Sequence, residues 1–449
     1  MSKTNERELA LYALTDIFNL QAYNNIVLRK LLNEHSEMTA VQKAFVTELV
    51  NGTLRNVITI DYVIDSFSKT KTKKMKPFIL NNLRVGVYQL LYTDKIPASA
   101  ACNEAVKLAK KHGFSSLSGF VNGVLRNIAR NKDNITFPDK SKDKVKYLSV
   151  KYSYCEDIIK YWLETLPFEK VENLCISGSS APSVSIAVNT IKTTVEKLKT
   201  DLEAYGMEVS EGKLNKGSLT IKKTNDLTHS KAYTDGLFHV MDESSALAVN
   251  VLDPTENSSV LDVCAAPGGK SLACAYKMNC KGSITSRDLY PHKLELISAT
   301  AERLGIDILK PEQADALENS DEEKYDYVIV DAPCSGLGLV RKKPDIKYNK
   351  TKDDISALAK IQRDILTASQ KSVKKGGFLL YSTCTVSAEE NEKNAKWFAE
   401  SFDFELVDIS TYLPEKYKDE GKSGMVQILT GTDGADGFFI SKFRRKQNG

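Results

Sequence analysis

Two loop thiols and a carboxylate are the groups of this 449-residue chain best placed to do chemistry. Val328-Ile329-Val330 is an apolar run ending on Asp331, and Ala332-Pro333-Cys334-Ser335-Gly336-Leu337-Gly338 continues it as a glycine-hinged loop. Open α/β sheets bind ligands at the carboxyl ends of their strands, so Asp331 and Cys334 fall where reacting groups are held. At first sight Cys334 is a nucleophile. Cys384, in Tyr381-Ser382-Thr383-Cys384-Thr385, closes another apolar run and offers a second thiol.

Upstream, Val260-Leu261-Asp262-Val263 leads into Cys264-Ala265-Ala266-Pro267-Gly268-Gly269-Lys270-Ser271. Small residues let backbone approach a ligand closely, and the helix such a loop opens favours negative charge at its start. Two ligand classes compete for it. Gly269-Lys270-Ser271 ends like a phosphate-binding loop, with Asp331 as the magnesium carboxylate, but that motif needs a glycine where Cys264 stands. A nucleoside instead needs an acidic residue closing the next strand to bind its ribose hydroxyls. Asp288 in Ser286-Arg287-Asp288 meets that need, a little over ~20 residues downstream. Asp315 in Ala314-Asp315-Ala316 follows the third strand, where it could meet an adenine amino group.

These loops need strands to carry them. From about residue 236, apolar strands alternate with amphipathic helices, the pattern of a parallel sheet covered on both faces. The expected strands are 260–263, 283–285, a short third near Ile308, 327–330 and 378–381, with Phe438-Phe439-Ile440-Ser441 as a late edge strand. Ahead of them, a helix over 156–166, a strand at 184–188, a helix over 194–204 and a strand at 219–221 suggest a small α+β module without catalytic residues of its own. Residues 131–146, rich in Lys, Asp and Asn, read as a linker. From Arg7 to about Asn131 the apolar period is helical throughout, as in Leu9, Ala13, Ile17 and Leu20, and Thr39-Ala40-Val41-Gln42 reads as a capping box. The expected domains are 1–135, 136–235 and 236–449.

Charge is nearly balanced overall, 62 Lys and Arg against 58 Asp and Glu, yet residues 1–150 carry 23 basic and 13 acidic side chains. That basic surface, densest at Lys69, Lys71, Lys73, Lys74 and Lys76, suits a phosphate backbone; a solvated lysine loop is the plain alternative. The eight cysteines (Cys102, Cys155, Cys175, Cys264, Cys274, Cys280, Cys334, Cys384) show no pairing or zinc-ligand spacing, so neither a disulfide framework nor a metal is expected. No run is apolar enough for a membrane span, and Met1-Ser2-Lys3-Thr4-Asn5-Glu6-Arg7 lacks a signal segment. A cytoplasmic monomer is the expectation.

Several segments have a family likeness. Phe45-Val46-Thr47-Glu48-Leu49-Val50-Asn51-Gly52, Leu83-Arg84-Val85-Gly86-Val87-Tyr88-Gln89-Leu90-Leu91 and Phe120-Val121-Asn122-Gly123-Val124-Leu125-Arg126-Asn127 resemble the NusB family of RNA-binding helical bundles. Residues 260–271, 331–338 and 381–385, with Arg303-Leu304-Gly305, Pro344-Asp345 and Asp436-Gly437-Phe438-Phe439, resemble the Nop/Sun family of RNA cytosine carbon-5 methyltransferases. The combination is similar to the bacterial members that act on 16S ribosomal RNA. It implies an all-α NusB-like bundle, a small α+β module and an α/β Rossmann-like domain that uses S-adenosylmethionine. Lys342 and Lys343 stand where that family commonly has arginine, Met241 where it has glutamine, and Thr385 where it has serine.

The resemblance also distributes roles. Carbon 5 of cytosine is a poor nucleophile, so a thiolate must first add to carbon 6. DNA cytosine methyltransferases use the cysteine of a Pro-Cys pair, which would be Cys334, whereas the RNA family uses that of a Thr-Cys pair, which is Cys384. Following the closer family, Cys384 is the nucleophile, Cys334 assists product release, Asp331 contacts the base, and Lys270 contacts the base or lowers a thiol pKa. The cofactor set is Cys264, Ala265, Ala266, Pro267, Gly268, Gly269, Lys270, Asp288, Asp315 and Asp331. The implied substrate is an unpaired loop cytosine of 16S ribosomal RNA. The same chemistry on transfer RNA, and a non-catalytic RNA-binding factor, are the alternatives.

Overall fold

The computed structural model describes residues 5–20, 24–222, 227–431 and 434–447. Met1 to Thr4, part of the stretch read as lacking a signal segment, lie outside them. The chain forms two compact units: Met1–Ser179 with Val340–Lys350, and Ser180–Leu339 with Thr351–Gly449. Among the described residues no helix is long and apolar enough to cross a membrane.

The first unit is helical. Its elements are α1 (Glu6–Leu20), α2 (Asn24–Glu34), α3 (Ala40–Arg55), α4 (Val57–Phe67), α5 (Pro77–Tyr92), α6 (Ala98–Lys111) and α7 (Ser118–Asn131), followed by α8 (Lys144–Tyr152), α9 (Glu156–Thr165) and α10 (Phe168–Ser177). Thr39 and Gln42 form the expected capping box, each side chain accepting from the other's backbone N–H at the start of α3. Leu49, Leu54, Ile60, Leu83, Val87, Val121 and Leu125 lie at the centre of its core. Proline at the start of α5 loses no helical hydrogen bond there.

Helices α8 to α10 lie in the stretch expected as linker and small module, but they pack with the bundle. Thr59 Oγ1 donates to the Val150 carbonyl at 2.6 Å, and the Ile58 amide donates to Ser153 Oγ at 2.9 Å. Val340–Lys350 completes the same unit from far along the chain. Lys347, wholly buried, donates to the carbonyls of Arg55 (3.0 Å) and Tyr152 (2.6 Å) and to Ser179 Oγ (3.4 Å), and its ammonium lies 4.2 Å from the Tyr154 ring centre. Burial lowers its pKa to about 7, while three acceptors match the three protons of the ammonium form.

The second unit holds two sheets. The smaller comprises β1 (Val184–Val188), β2 (Val209–Glu211), β3 (Ser218–Ile221) and β4 (Phe238–Val240), with α11 (Val195–Ala204) and the short α12 (Lys231–Thr234). It runs in the order β2-β3-β1-β4, with all pairs antiparallel. After α13 (Glu243–Leu252) comes the larger sheet: β5 (Ser258–Asp262), α14 (Gly269–Lys277), β6 (Gly282–Asp288), α15 (Pro291–Leu304), β7 (Leu309–Gln313), β8 (Tyr325–Asp331), α16 (Lys352–Ser369), β9 (Val373–Thr383), α17 (Glu392–Ser401), β10 (Phe404–Leu406), α18 (Lys418–Gly421), β11 (Met425–Ile428) and β12 (Phe438–Arg445). Its order is β10-β12-β9-β8-β5-β6-β7, with β11 also on β12. The pairs among β5 to β9 are parallel, so their carboxyl ends share one edge.

One strand differs from expectation. The stretch 438–441 is interior, not an edge: β12 pairs with β9 on one side and with β11 and β10 on the other. Phe438, Phe439, Ile440, Ser441 and Phe443 are all buried, so both faces of this part of the strand are covered.

Candidate active site

The carboxyl ends of β5, β6, β8 and β9 bring the singled-out residues into two adjoining groups. The first surrounds a cavity of about 420 Å³ lined by Cys264, Ala266, Asp288, Asp315 and Asp331 and walled by Leu289, Tyr290, Leu317, Ile361 and Ile365. Such a volume, apolar with a few convergent carboxylates, suits a nucleoside. Asp288 ends β6 and is held by the Ala266 amide (3.3 Å), the Tyr290 amide (3.2 Å) and Lys293 (3.4 Å). Asp315 caps a turn through the Leu317 amide at 2.9 Å. Leu289, Tyr290 and Leu317 are about half exposed, apolar surface left open at the mouth.

Other residues of the small-residue loop point elsewhere. The Ala265 amide donates to the Arg287 carbonyl at 2.7 Å, and Gly268 adopts φ +98° against Ile297, a conformation that costs a glycine nothing. Pro267 is exposed, and Gly269 begins α14. Beneath the loop, wholly buried Asp262 accepts from Ser271 Oγ at 2.7 Å. Burial raises its pKa to about 7. The folded state therefore binds the extra proton between the ordinary aspartate pKa and about 7, and this group's contribution to stability falls as pH rises through that window. Relative to Asp262→Asn, which keeps an acceptor for Ser271, wild type should lose on the order of 3–4 kcal/mol between pH 4 and 8. Denaturant unfolding of both proteins at the two pH values measures that difference.

The second group is the thiol pair. Cys334 Sγ and Cys384 Sγ lie 3.2 Å apart. Lys270 Nζ donates to Asp331 Oδ2 at 2.6 Å, Ser382 Oγ donates to Oδ1 at 2.8 Å, and the ammonium lies 5.0 Å from the Phe438 ring centre. Asp331, three residues before Cys334, is thus held by Lys270 and Ser382 and lines the cavity. The Cys334 pKa is raised well above that of an ordinary thiol, first by Cys384 Sγ and then by burial. The loops bearing the thiols meet through backbone: the Gly338 amide donates to the Cys384 carbonyl and the Gly437 amide to the Gly338 carbonyl, each at 3.0 Å. A side chain at Gly338 would run into the Gly437 carbonyl, so glycine is required there.

The chain matches three family models: NusB over residues 4–130, a ferredoxin-like domain of RsmF/B-like methyltransferases over 156–228, and 16S rRNA methyltransferase RsmB/F over 249–444. It is 40% identical over 451 aligned residues, 99% of its length and 100% of the relative's, to the probable ribosomal RNA small subunit methyltransferase B of Bacillus subtilis. The chain belongs to the RsmB/F methyltransferase family. A second RsmB relative, from Synechocystis, is 31% identical, with 98% of this chain and 99% of that one covered. The crystal structure of PH0851 superposes with a TM-score of 0.80 at 26% identity, over 98% of this chain and 99% of that one. The RsmB/F chain is accordingly an S-adenosylmethionine-dependent methyltransferase, with a NusB-like helical region, a ferredoxin-like module and an α/β domain. Among the described residues no cluster of His, Cys, Asp or Glu could hold a metal.

Sequence reasoning missed the buried polar residues behind the thiols. Glu390, Gln362 and Asn394 are wholly buried, and Asn391 nearly so. Thr383 Oγ1 donates to Asn391 Oδ1 at 2.5 Å, and Asn391 Nδ2 donates to the Thr385 carbonyl at 3.1 Å, fixing the turn that carries Cys384. Ala388-Glu389-Glu390-Asn391-Glu392 reads as a solvated acidic helix start. The one available signal was the position of Glu390 six residues after Cys384.

Proposed function

We propose that this protein methylates carbon 5 of an unpaired cytosine in 16S ribosomal RNA through a covalent adduct to Cys384. The observation that carries the reading is the pair of thiols 3.2 Å apart beside Asp331, next to a nucleoside-sized cavity. Its relatives' names, ribosomal RNA small subunit methyltransferase B, support the ribosomal substrate.

Asp288 would hold the ribose of S-adenosylmethionine, Asp315 the adenine amino group, and Cys264, Ala266 and the apolar wall the rest. When bound, the cofactor supplies an electrophilic methyl group. The chain's own residues do the remaining work. Cys384 thiolate adds to carbon 6 of the base and pushes electron density toward carbon 5. Asp331, oriented by Lys270 and Ser382, accepts from the exocyclic amino group of the cytosine and holds the ring in place for attack. In this arrangement Lys270 acts through Asp331.

Release needs the carbon-5 proton to leave, its electron pair to form the 5,6 double bond, and the carbon–sulfur bond to break, returning Cys384 as a thiolate. Cys334 takes that proton. The largest upward push on its pKa comes from Cys384 Sγ, so once Cys384 is bonded to carbon that push is relieved and Cys334 becomes a better-populated base at the stage that needs one.

A target base must leave its stack to reach a strand-end site, which favours a loop cytosine. In the helical unit, Lys69, Lys71, Lys73, Lys74 and Lys76 are exposed on a loop anchored by Asp65, which accepts from the Thr72 amide at 2.6 Å. These lysines supply salt-sensitive phosphate contacts. Bisulfite mapping of ribosomal and transfer RNA from cells with and without the gene tests the assignment. One 5-methylcytosine should vanish from 16S ribosomal RNA; loss confined to transfer RNA would overturn it.

A further inference from the structure

Cys334 sits between two peptide groups that are both tied to one buried pair of side chains. On one flank the Ser335 amide donates to Glu390 Oε1 at 2.8 Å; on the other, Gln362 Nε2 donates to the Pro333 carbonyl at 3.0 Å. Gln362 Nε2 also donates to Glu390 Oε1 at 3.0 Å, joining the two clamps. Ser335 Oγ donates to Glu390 Oε2 at 2.6 Å, which leaves its lone pairs to accept from Thr385 Oγ1 at 2.7 Å. Thr385 follows Cys384, so the residues next to the two thiols are bonded directly, with Glu390 behind both. Ser335, Glu390, Gln362 and Thr385 are buried. Each of these donors to Glu390 is neutral, so the carboxylate is placed for its geometry and not for an ion pair.

We propose that Glu390 is a positioning residue for product release: it fixes the peptide on either side of Cys334 and so holds that thiol against Cys384. This rests on the reading of Cys334 as the release base. Both oxygens of Glu390 are used, and the pair Glu390–Gln362 is itself fixed. Gln362 Oε1 accepts from Tyr381 Oη (3.0 Å) and Asn394 Nδ2 (2.9 Å), and Tyr381 Oη also donates to the Glu390 carbonyl. Truncating Glu390 leaves the Ser335 amide without its acceptor and the Ser335 hydroxyl with Thr385 alone, and so frees the Cys334 loop to shift. The Cys384 turn keeps its own hold through Asn391. Addition should therefore survive while release suffers.

The test follows the denaturant-resistant protein–RNA complex over time, using full-length protein, S-adenosylmethionine and unmodified 16S ribosomal RNA. Wild type, Cys334→Ala, Glu390→Ala, Glu390→Gln and Ser335→Ala are compared. Glu390→Ala should raise the steady-state complex roughly tenfold over wild type, the scale of one lost hydrogen bond to a charged group, although Cys334 is present. Glu390→Gln retains an acceptor for the Ser335 amide and should restore release. If Glu390→Ala fails to fold, Ser335→Ala, which removes only the hydroxyl bonds, should show the same accumulation to a smaller extent. A Glu390→Ala protein that folds and turns over without accumulating complex, or that loses addition and release together, overturns the proposal. Absence of trapped complex in Cys334→Ala would instead overturn the reading of Cys334 on which it rests.

Discussion

Cys384→Ala should abolish methylation and form no covalent complex with RNA, whereas Cys334→Ala should accumulate one. The two thiols are 3.2 Å apart and face the same space, so distance alone does not separate their roles. Chemistry does. The Cys334 pKa is held well above the ordinary thiol range, which keeps it protonated while a nucleophile is needed. Removing the nucleophile should cost at least about 10⁴-fold in rate, as for other covalent catalysts. Removing the release base should leave the first addition intact and stall the enzyme after a single turnover. Gel mobility under denaturing conditions, with labelled RNA, reads both outcomes. Exchange of the two phenotypes would make Cys334 the nucleophile.

Asp331→Asn should slow single-turnover methylation by about 10²–10³-fold, the scale of losing one preorganised contact that positions the reacting base. Asparagine still accepts from Ser382 but withdraws the negative charge from Lys270, whose side chain is only 8% exposed. An ammonium left unpaired there also destabilises the second unit, by about 1–3 kcal/mol once the partial exposure of Asp331 is allowed for. Lys270→Met should relieve part of that stability loss when combined with Asp331→Asn, without restoring the rate. Rapid-quench kinetics and thermal melting on the same preparations separate the two effects. An unchanged rate would remove Asp331 from the chemistry.

The strand ends were legible because each carries a pattern with a physical cause. An apolar run followed by Asp331 and Cys334, or by Thr383 and Cys384, reads as a buried strand delivering polar groups to its end, and both runs are strands. The spacing from the small-residue loop to Asp288 likewise follows from the geometry of a crossover, and the two stand 3.3 Å apart. What escaped notice was polarity that the fold hides. Glu390 lies in an acidic run and Lys347 among lysines, compositions that normally mean solvent, yet both are wholly buried. Ser335 and Gln362, which fix the Glu390 carboxylate, lie 55 and 28 positions away, and the acceptors of Lys347 lie 168 to 292 positions away. The interior place of β12 was hidden for a similar reason, since β11 and β10, which cover its outer side, are short segments with little strand signal.

The helical unit is finished by eleven residues that are made late. When residue 179 leaves the ribosome, the carbonyls of Arg55 and Tyr152 still lack Lys347, and the Leu54 carbonyl still lacks the Tyr348 hydroxyl. At elongation rates of about 5–20 residues per second, that gap stays open for roughly ten seconds or more. The nascent bundle must wait in an unsealed form while β5 to β8, half of the larger sheet's strands, emerge. Its last step of folding is thereby timed by translation of the segment just beyond the Cys334 loop.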